Sequence, residues 1–191
     1  MTWRLKWLAA AGVAWAIAFC SAPARAGRPI HVHPQNPHYF EYRGEPTLLI
    51  TSGEHYGALL KRDFDYVTYL AELEKHDLNQ TRTFAGTYAE QWGEGWNTLN
   101  PAPGRFITPW ARSDTPGYAG GGNKFDLSQW NPQYFRRLRD FLSEARDRGV
   151  VVELVLFCVM YGDSQWKLCP LNARNNVNGI GDVGRKQFFE L

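Results

Sequence analysis

The chain has 191 residues, with 21 Lys and Arg against 19 Asp and Glu, and is formally +2 at pH 7. Three of those cations, Arg4, Lys6 and Arg25, lie ahead of position 27, and without them the balance is about −1. The remaining residues therefore lack the basic surface of a nucleic-acid binder.

Arg4 and Lys6 open a segment whose apolar stretch, 8–19, is followed by Ala24-Arg25-Ala26. A charged start, a short apolar run and an A-x-A site make residues 1–26 a signal peptide, so the mature chain begins at Gly27 and is secreted or periplasmic. The apolar run is shorter than the ~20 residues a membrane span requires, so no membrane association is expected after cleavage. Residues 27–191 are then the folded part.

Residues 30–47 contain two short extended pieces joined at Tyr42-Arg43-Gly44-Glu45, with Gly44 suited to the positive φ of a hairpin turn. They read as a small antiparallel cover. His31 and His33 lie there without an acid or Cys at ligand spacing, so no metal is expected. Residues 48–51 read as a first buried strand ending at Glu54-His55. A helix over 62–76 places Phe64, Val67, Leu70, Ala71 and Leu73 on one side, and 78–84 is a second strand. Residues 85–130 read as one long loop, rich in Gly, Pro, Asn and Trp, with Gly120-Gly121-Gly122 as a flexible tip. Asn131 then caps a helix that Pro132 can begin and Gly149 can end. Residues 150–160 are almost all apolar, the pattern of a parallel strand covered on both faces. A loop over 161–183 leads to the first turns of another helix at 184–191.

Alternating strands and helices imply a parallel sheet, either an open doubly wound one or an eightfold barrel. Ser52-Gly53-Glu54-His55-Tyr56-Gly57 lacks the Gly-rich phosphate turn of a nucleotide site, so no cofactor is expected. Long aromatic loops at the strand C-termini favour the barrel, whose binding site lies on that face. A barrel takes roughly 250 residues. The expected fold class is therefore α/β: the N-terminal part of a (β/α)8 barrel, about three of eight units over 48–191, preceded by the short hairpin.

Five Trp remain after position 26: Trp92, Trp96, Trp110, Trp130 and Trp166, all in predicted loops or at element ends. Each alone could plug a core, but together with Tyr88 and Tyr161 they offer flat faces for sugar rings. Glu54 and His55 are placed to bind hydroxyls, with a purely structural role for His55 equally open. The other acids that could do chemistry are Glu90, Glu94, Glu153 and Asp163. Cys158 and Cys169 could form a disulfide in an oxidising compartment or remain two thiols.

Leu78-Asn79-Gln80-Thr81-Arg82 and the run from Trp166 to Asn175-Asn176-Val177-Asn178-Gly179 resemble secreted, cellulase-like barrel glycoside hydrolases of family 5 and its retaining clan. The resemblance covers nearly all of 30–191. It implies hydrolysis of β-linked polysaccharide or oligosaccharide by two carboxyl groups about 5–5.5 Å apart. In that clan the acid/base Glu follows an Asn on the fourth strand, and the nucleophile Glu ends the seventh. The sequence contains no Asn-Glu pair. No catalytic residue is thus expected within the chain, and both are expected beyond Leu191, leaving this portion inactive alone. The resemblance gives Arg82 a supporting role, holding the nucleophile carboxylate; the alternative is a structural ion pair with Glu153. The expected substrate-binding residues are Glu54, His55, Tyr88, Trp92, Tyr161 and Trp166, and the expected partner is carbohydrate. The other function class is a non-catalytic carbohydrate-binding or structural protein.

Overall fold

The structure, a computed structural model, describes residues 29–51, 57–90 and 100–189. The chain divides into two compact units at Thr47/Leu48. The first is a three-stranded antiparallel meander of β1 (His31–Val32), β2 (Phe40–Tyr42) and β3 (Glu45–Thr47). Tyr42 pairs with Glu45, and between them Arg43 and Gly44 have φ of 56° and 86°. Two consecutive positive φ values make the two-residue turn whose twist matches the strands it joins. His33 Nδ1 accepts from the backbone N–H groups of Gln35 and Asn36, and His31 Nε2 lies 3.6 Å from Glu41, so both imidazoles have local partners.

The second unit contains α1 (Gly57–Leu60), α2 (Tyr66–Lys75), β4 (Gln80–Phe84), β5 (Trp110–Pro116), β6 (Asn123–Trp130), α3 (Pro132–Asp147), β7 (Val151–Val155), α4 (Asp163–Leu168) and α5 (Arg185–Phe189). It is a mixed α/β unit. Its parallel sheet, among the described residues, has two strands, β4 and β7, in register from Gln80↔Val151 to Phe84↔Val155. One face of β4 turns Thr81 and Thr83 into the core, where Tyr69 Oη and Thr81 Oγ1 are 2.7 Å apart. The other face carries Gln80 and Arg82.

The two long helices follow their caps. Asp65 accepts from the Thr68 N–H and hydroxyl, so α2 starts at Tyr66 rather than at position 62. Asn131 accepts from the Gln133 N–H and Pro132 opens α3, while Gly149 has the left-handed φ of 71° that ends it. Leu70, Leu73, Phe141, Ala145 and Val150 belong to one core cluster with all of α1 except Gly57. Arg137 ties these pieces together, donating to the carbonyls of Ala58, Lys61 and Phe64 and lying 4.8 Å from the Tyr66 ring centroid.

Several expectations are corrected. Residues 48–51 are not a buried strand: Leu48 and Ile50 are half exposed. Their backbone is held in part by Asn79, whose side-chain amide donates to the Leu48 carbonyl and accepts from the Ile50 N–H. The backbone N–H groups of Asn79 and Gln80 both donate to the Ile50 carbonyl, so side-chain and backbone bonds together replace a regular ladder. Residues 85–130 are not one loop, because β5 and β6 form an antiparallel hairpin within them. Trp110 and Trp130 pair across its open end, as the first residue of β5 and the last of β6. The Gly-rich turn is its tip, with Gly121 and Gly122 at φ 92° and 84°. The strand expected over 150–160 ends at Val155, every residue of β7 is only half buried, and Leu156, Phe157 and Val159 are exposed. Only β4 flanks β7 among the described residues, so the apolar run outlasts its ladder. The loop over 161–183 contains α4 and a 3-10 turn, Ala173–Asn175.

Candidate functional site

The loops that leave the C-terminal ends of β4 and β7 meet. After β4 the chain turns at Gly86, where φ is 131° and an added Cβ would lie 2.4 Å from Pro109 Cδ; only glycine lets the chain pass the Pro109 ring. Residues 86–90 are then buried. Tyr88 stacks its edge on Tyr161, with centroids 6.2 Å apart, and shares a small apolar cluster with Met160, Trp166 and Cys169. Its hydroxyl donates to Glu90 Oε1 at 2.8 Å. Burial first, and then the Glu90 carboxylate, push the Tyr88 hydroxyl well above its ordinary range, so it remains a neutral donor that orients a buried acid.

Glu90 lines a cavity of about 350 Å³ with Phe106, Tyr118, Gly120, Lys167 and Leu168. Phe106 and Tyr118 are parallel within 14° at 6.3 Å. Tyr118 donates to the Leu168 carbonyl at 2.9 Å, which fixes its ring between the hairpin and α4. Behind it, the Arg112 guanidinium lies 4.3 Å from the Tyr118 centroid and 3.8 Å from that of Phe125. Burial lowers the Arg112 pKa to about 10, which leaves it charged at neutral pH. Gly120 rests on the Tyr118 ring, where a Cβ would come within 2.5 Å of Cε1.

A buried amide pair holds this side of the site. Asn175 Nδ2 donates to the Lys167 and Cys169 carbonyls at 2.7 and 2.8 Å, and its Oδ1 accepts from the Ala119 N–H. Asn176 Nδ2 donates to three carbonyls, those of Pro170, Asn172 and Ile180. Asn178 Oδ1 accepts from the Leu127 N–H, and the Val177 N–H donates to the Phe125 carbonyl. The Asn-Asn-Val-Asn run thereby straps the end of α4 to the β5–β6 hairpin.

The expected site residues fall as follows. Glu54, His55 and Trp92 lie outside the described residues, as do Glu94 and Trp96. Tyr88, Tyr161 and Trp166 come together, but with different exposure. Tyr88 and Trp166 are core residues, Trp166 tilted against Phe188 at 5.0 Å, whereas Tyr161 is 77% exposed and presents an open ring. Arg82 Nε lies 3.0 Å from Glu153 Oε2, which also accepts from Gln80 at 3.3 Å, and both partners are about half exposed. Sequence reasoning did not single out Phe106, Tyr118 or Lys167, and it quoted Asn175 only within the run that carries the resemblance. The alternation of Phe125 and Leu127 with Lys124, Asp126 and Ser128 was the available sign of the hairpin that carries Tyr118.

Cys158 and Cys169 stand as thiols rather than as a disulfide. Burial pushes the Cys169 thiol up to about 12, and it is fully buried, while Cys158 is half buried. Iodoacetamide at pH 8 is expected to alkylate Cys158 at least about tenfold faster than Cys169 in the native chain. Site-resolved mass spectrometry checks this, and equal rates would contradict it. Among the described residues no cluster of His, Cys, Asp and Glu could hold a metal ion. No helix there is long and apolar enough to cross a membrane.

No protein-family model matches this chain, and neither does any curated protein sequence. Among solved structures it is similar to a provisionally assigned glycoside hydrolase from Bacteroides vulgatus ATCC 8482, with 16% identity and a TM-score of 0.47. That likeness covers 67% of this chain and 24% of the other, so the chain spans about a quarter of that protein's length.

Proposed function

We propose that the chain is part of a carbohydrate-active protein of the glycoside hydrolase type. In this reading β4, α3 and β7 belong to a (β/α)8 barrel of the cellulase-like, family 5 kind, and the protein acts on β-linked polysaccharide after export and removal of residues 1–26. The observation that carries it is the convergence of the loops after two parallel strands. Tyr88, after β4, meets Tyr161, after β7, beside a cavity lined by the buried Glu90 and two aromatic rings. In parallel α/β proteins, ligands bind beyond the C-terminal strand ends. A carboxylate with flat apolar walls suits hydroxyl-bearing rings. Glu54, His55 and Trp92 would add to the same face, and Arg82 would hold a catalytic carboxylate supplied by a later strand.

A second reading, a non-catalytic carbohydrate binder, is favoured by the state of the acids. Glu153 is paired with Arg82, Asp163 with Arg185, and Glu90 accepts from Tyr88. The test separates the two readings. Residues 1–191 are expected to be retained on insoluble β-linked polysaccharide, more weakly by about five- to tenfold in Tyr161→Ala, and to give no turnover of aryl β-glycosides. Turnover would assign catalysis to this chain. Neither retention nor turnover on any polysaccharide would sink the carbohydrate reading.

A further inference from the structure

A second cavity, about 840 Å³, adjoins the first where Ala119 and Lys167 line both. Both volumes fall in the ~300–1,000 Å³ range of ligand sites. The two differ in chemistry. The smaller offers Glu90 and the Phe106 and Tyr118 rings, a setting for a neutral ring. The larger is polar, and its described charged lining consists of Asp163, Lys167, Arg174, Asp182 and Arg185.

Two of those charges cancel: Arg185 Nε lies 2.9 Å from Asp163 Oδ1, and its Nη1 donates to the Met160 carbonyl. Lys167 and Arg174 have no ion pair among the described residues, and Asp182 is the one acid left to oppose them. The backbones that carry these two cations are held in place. The Lys167 carbonyl accepts from the buried Asn175 side chain at 2.7 Å, and the Arg174 N–H donates to Asn172 Oδ1 at 3.0 Å. Their side chains are exposed, so they can approach an anion without losing a native partner.

From this we infer that the larger cavity is a subsite for a carboxylate-bearing sugar, bound by Lys167 and Arg174 while a neutral neighbouring residue occupies the Glu90 cavity. The inference rests on the carbohydrate reading and deepens it: the substrate is an acidic, not a neutral, β-linked glycan. A guanidinium and an ammonium at one cavity supply charge-assisted donors to a carboxylate.

Calorimetric titration of the 191-residue chain tests it with two probes: a β-xylo-oligosaccharide bearing one glucuronic acid group, and the same oligosaccharide without it. The acidic probe is expected to bind about tenfold more tightly, the effect of one charge-assisted hydrogen bond. Lys167→Gln and Arg174→Gln should each abolish most of that preference, and Arg174→Gln, at a position that does not line the Glu90 cavity, should leave the neutral probe's affinity unchanged. Equal binding of both probes, or a preference that survives both substitutions, overturns the acidic subsite and leaves the carbohydrate reading standing. Equal binding of a polyglutamate peptide overturns it as well, by showing an unspecific anion patch. If neither oligosaccharide binds, the carbohydrate reading falls with it.

Discussion

Asn175→Asp is expected to destabilise the chain by about 3–5 kcal/mol at pH 7, the scale for an uncompensated buried charge. The asparagine side chain is fully buried, and its NH2 donates to two carbonyl oxygens, those of Lys167 and Cys169. A carboxylate there would face both carbonyls with no proton to give. Only the Ala119 N–H would remain a suitable donor. The effect depends on pH in a definite direction. The introduced carboxyl is disfavoured as an anion in the folded state, so its folded pKa lies above the unfolded value near 3.9. The extra penalty is absent below that unfolded value and grows as pH rises through it, until the folded pKa is passed. Urea midpoints at pH 4 and pH 7 check this: the loss should be markedly larger at pH 7. Asn175→Ala should lose about 2–4 kcal/mol at both, since it strands two carbonyls and one N–H without adding charge. A loss below 1 kcal/mol for both variants would show that the strap between α4 and the hairpin does not hold the unit.

Arg137→Met is the second large effect, an expected loss of about 2–4 kcal/mol. The guanidinium serves three backbone carbonyls from one side chain, Ala58, Lys61 and Phe64, at 2.8 to 3.1 Å. These belong to α1 and the turn into α2, where the Phe64 and Tyr66 N–H groups also donate to the Lys61 and Phe64 carbonyls and Arg137 ties all three carbonyls to α3. Methionine keeps the apolar stem and the packing on Tyr66 but leaves the acceptors without that donor. Burial lowers the Arg137 pKa, yet arginine keeps its proton throughout the neutral range. The stabilisation should therefore be flat with pH between 5 and 9. Arg137→Lys is expected to recover less than half, because an ammonium lacks the planar fork that reaches three acceptors. Thermal melts of the three proteins, with hydrogen exchange at residues 57–64 as the local readout, decide the matter. Wild-type protection there in Arg137→Met would refute the role.

The helices were legible because their signals are local. Asn131, Pro132 and Gly149 each act within a turn of their own position, so the limits of α3 were read from neighbours in sequence, whereas the Asp65 cap of α2 was missed and that helix was started at 62. The parallel pairing of 78–84 with the apolar run after Gly149 was legible too, because the pattern of each strand is continuous. The β5–β6 hairpin was not. Pro, Gly and register shifts interrupt its alternation, and its stability comes from distant groups: the Asn175 and Asn178 side chains bond to Ala119 and Leu127. The site followed the same division. Tyr88, Tyr161 and Trp166 could be named from aromatic residues after strand ends. That Tyr88 and Trp166 are buried while Tyr161 is open could not, since exposure depends on what the other loops place over each ring.

The sequence alone therefore determined the start and stop of α3, the turn at Gly44 and the parallel pairing of the strands at 78–84 and after Gly149, and it offered Glu153 as one of two readings of Arg82. These depend on side-chain chemistry and periodicity within a few residues. Only the tertiary structure decided that Glu90 is buried against the Tyr88 hydroxyl and that Tyr118 and Lys167 share its cavity. These groups come from three separate segments, and their meeting is set by packing between distant elements, which carries no trace in the local pattern.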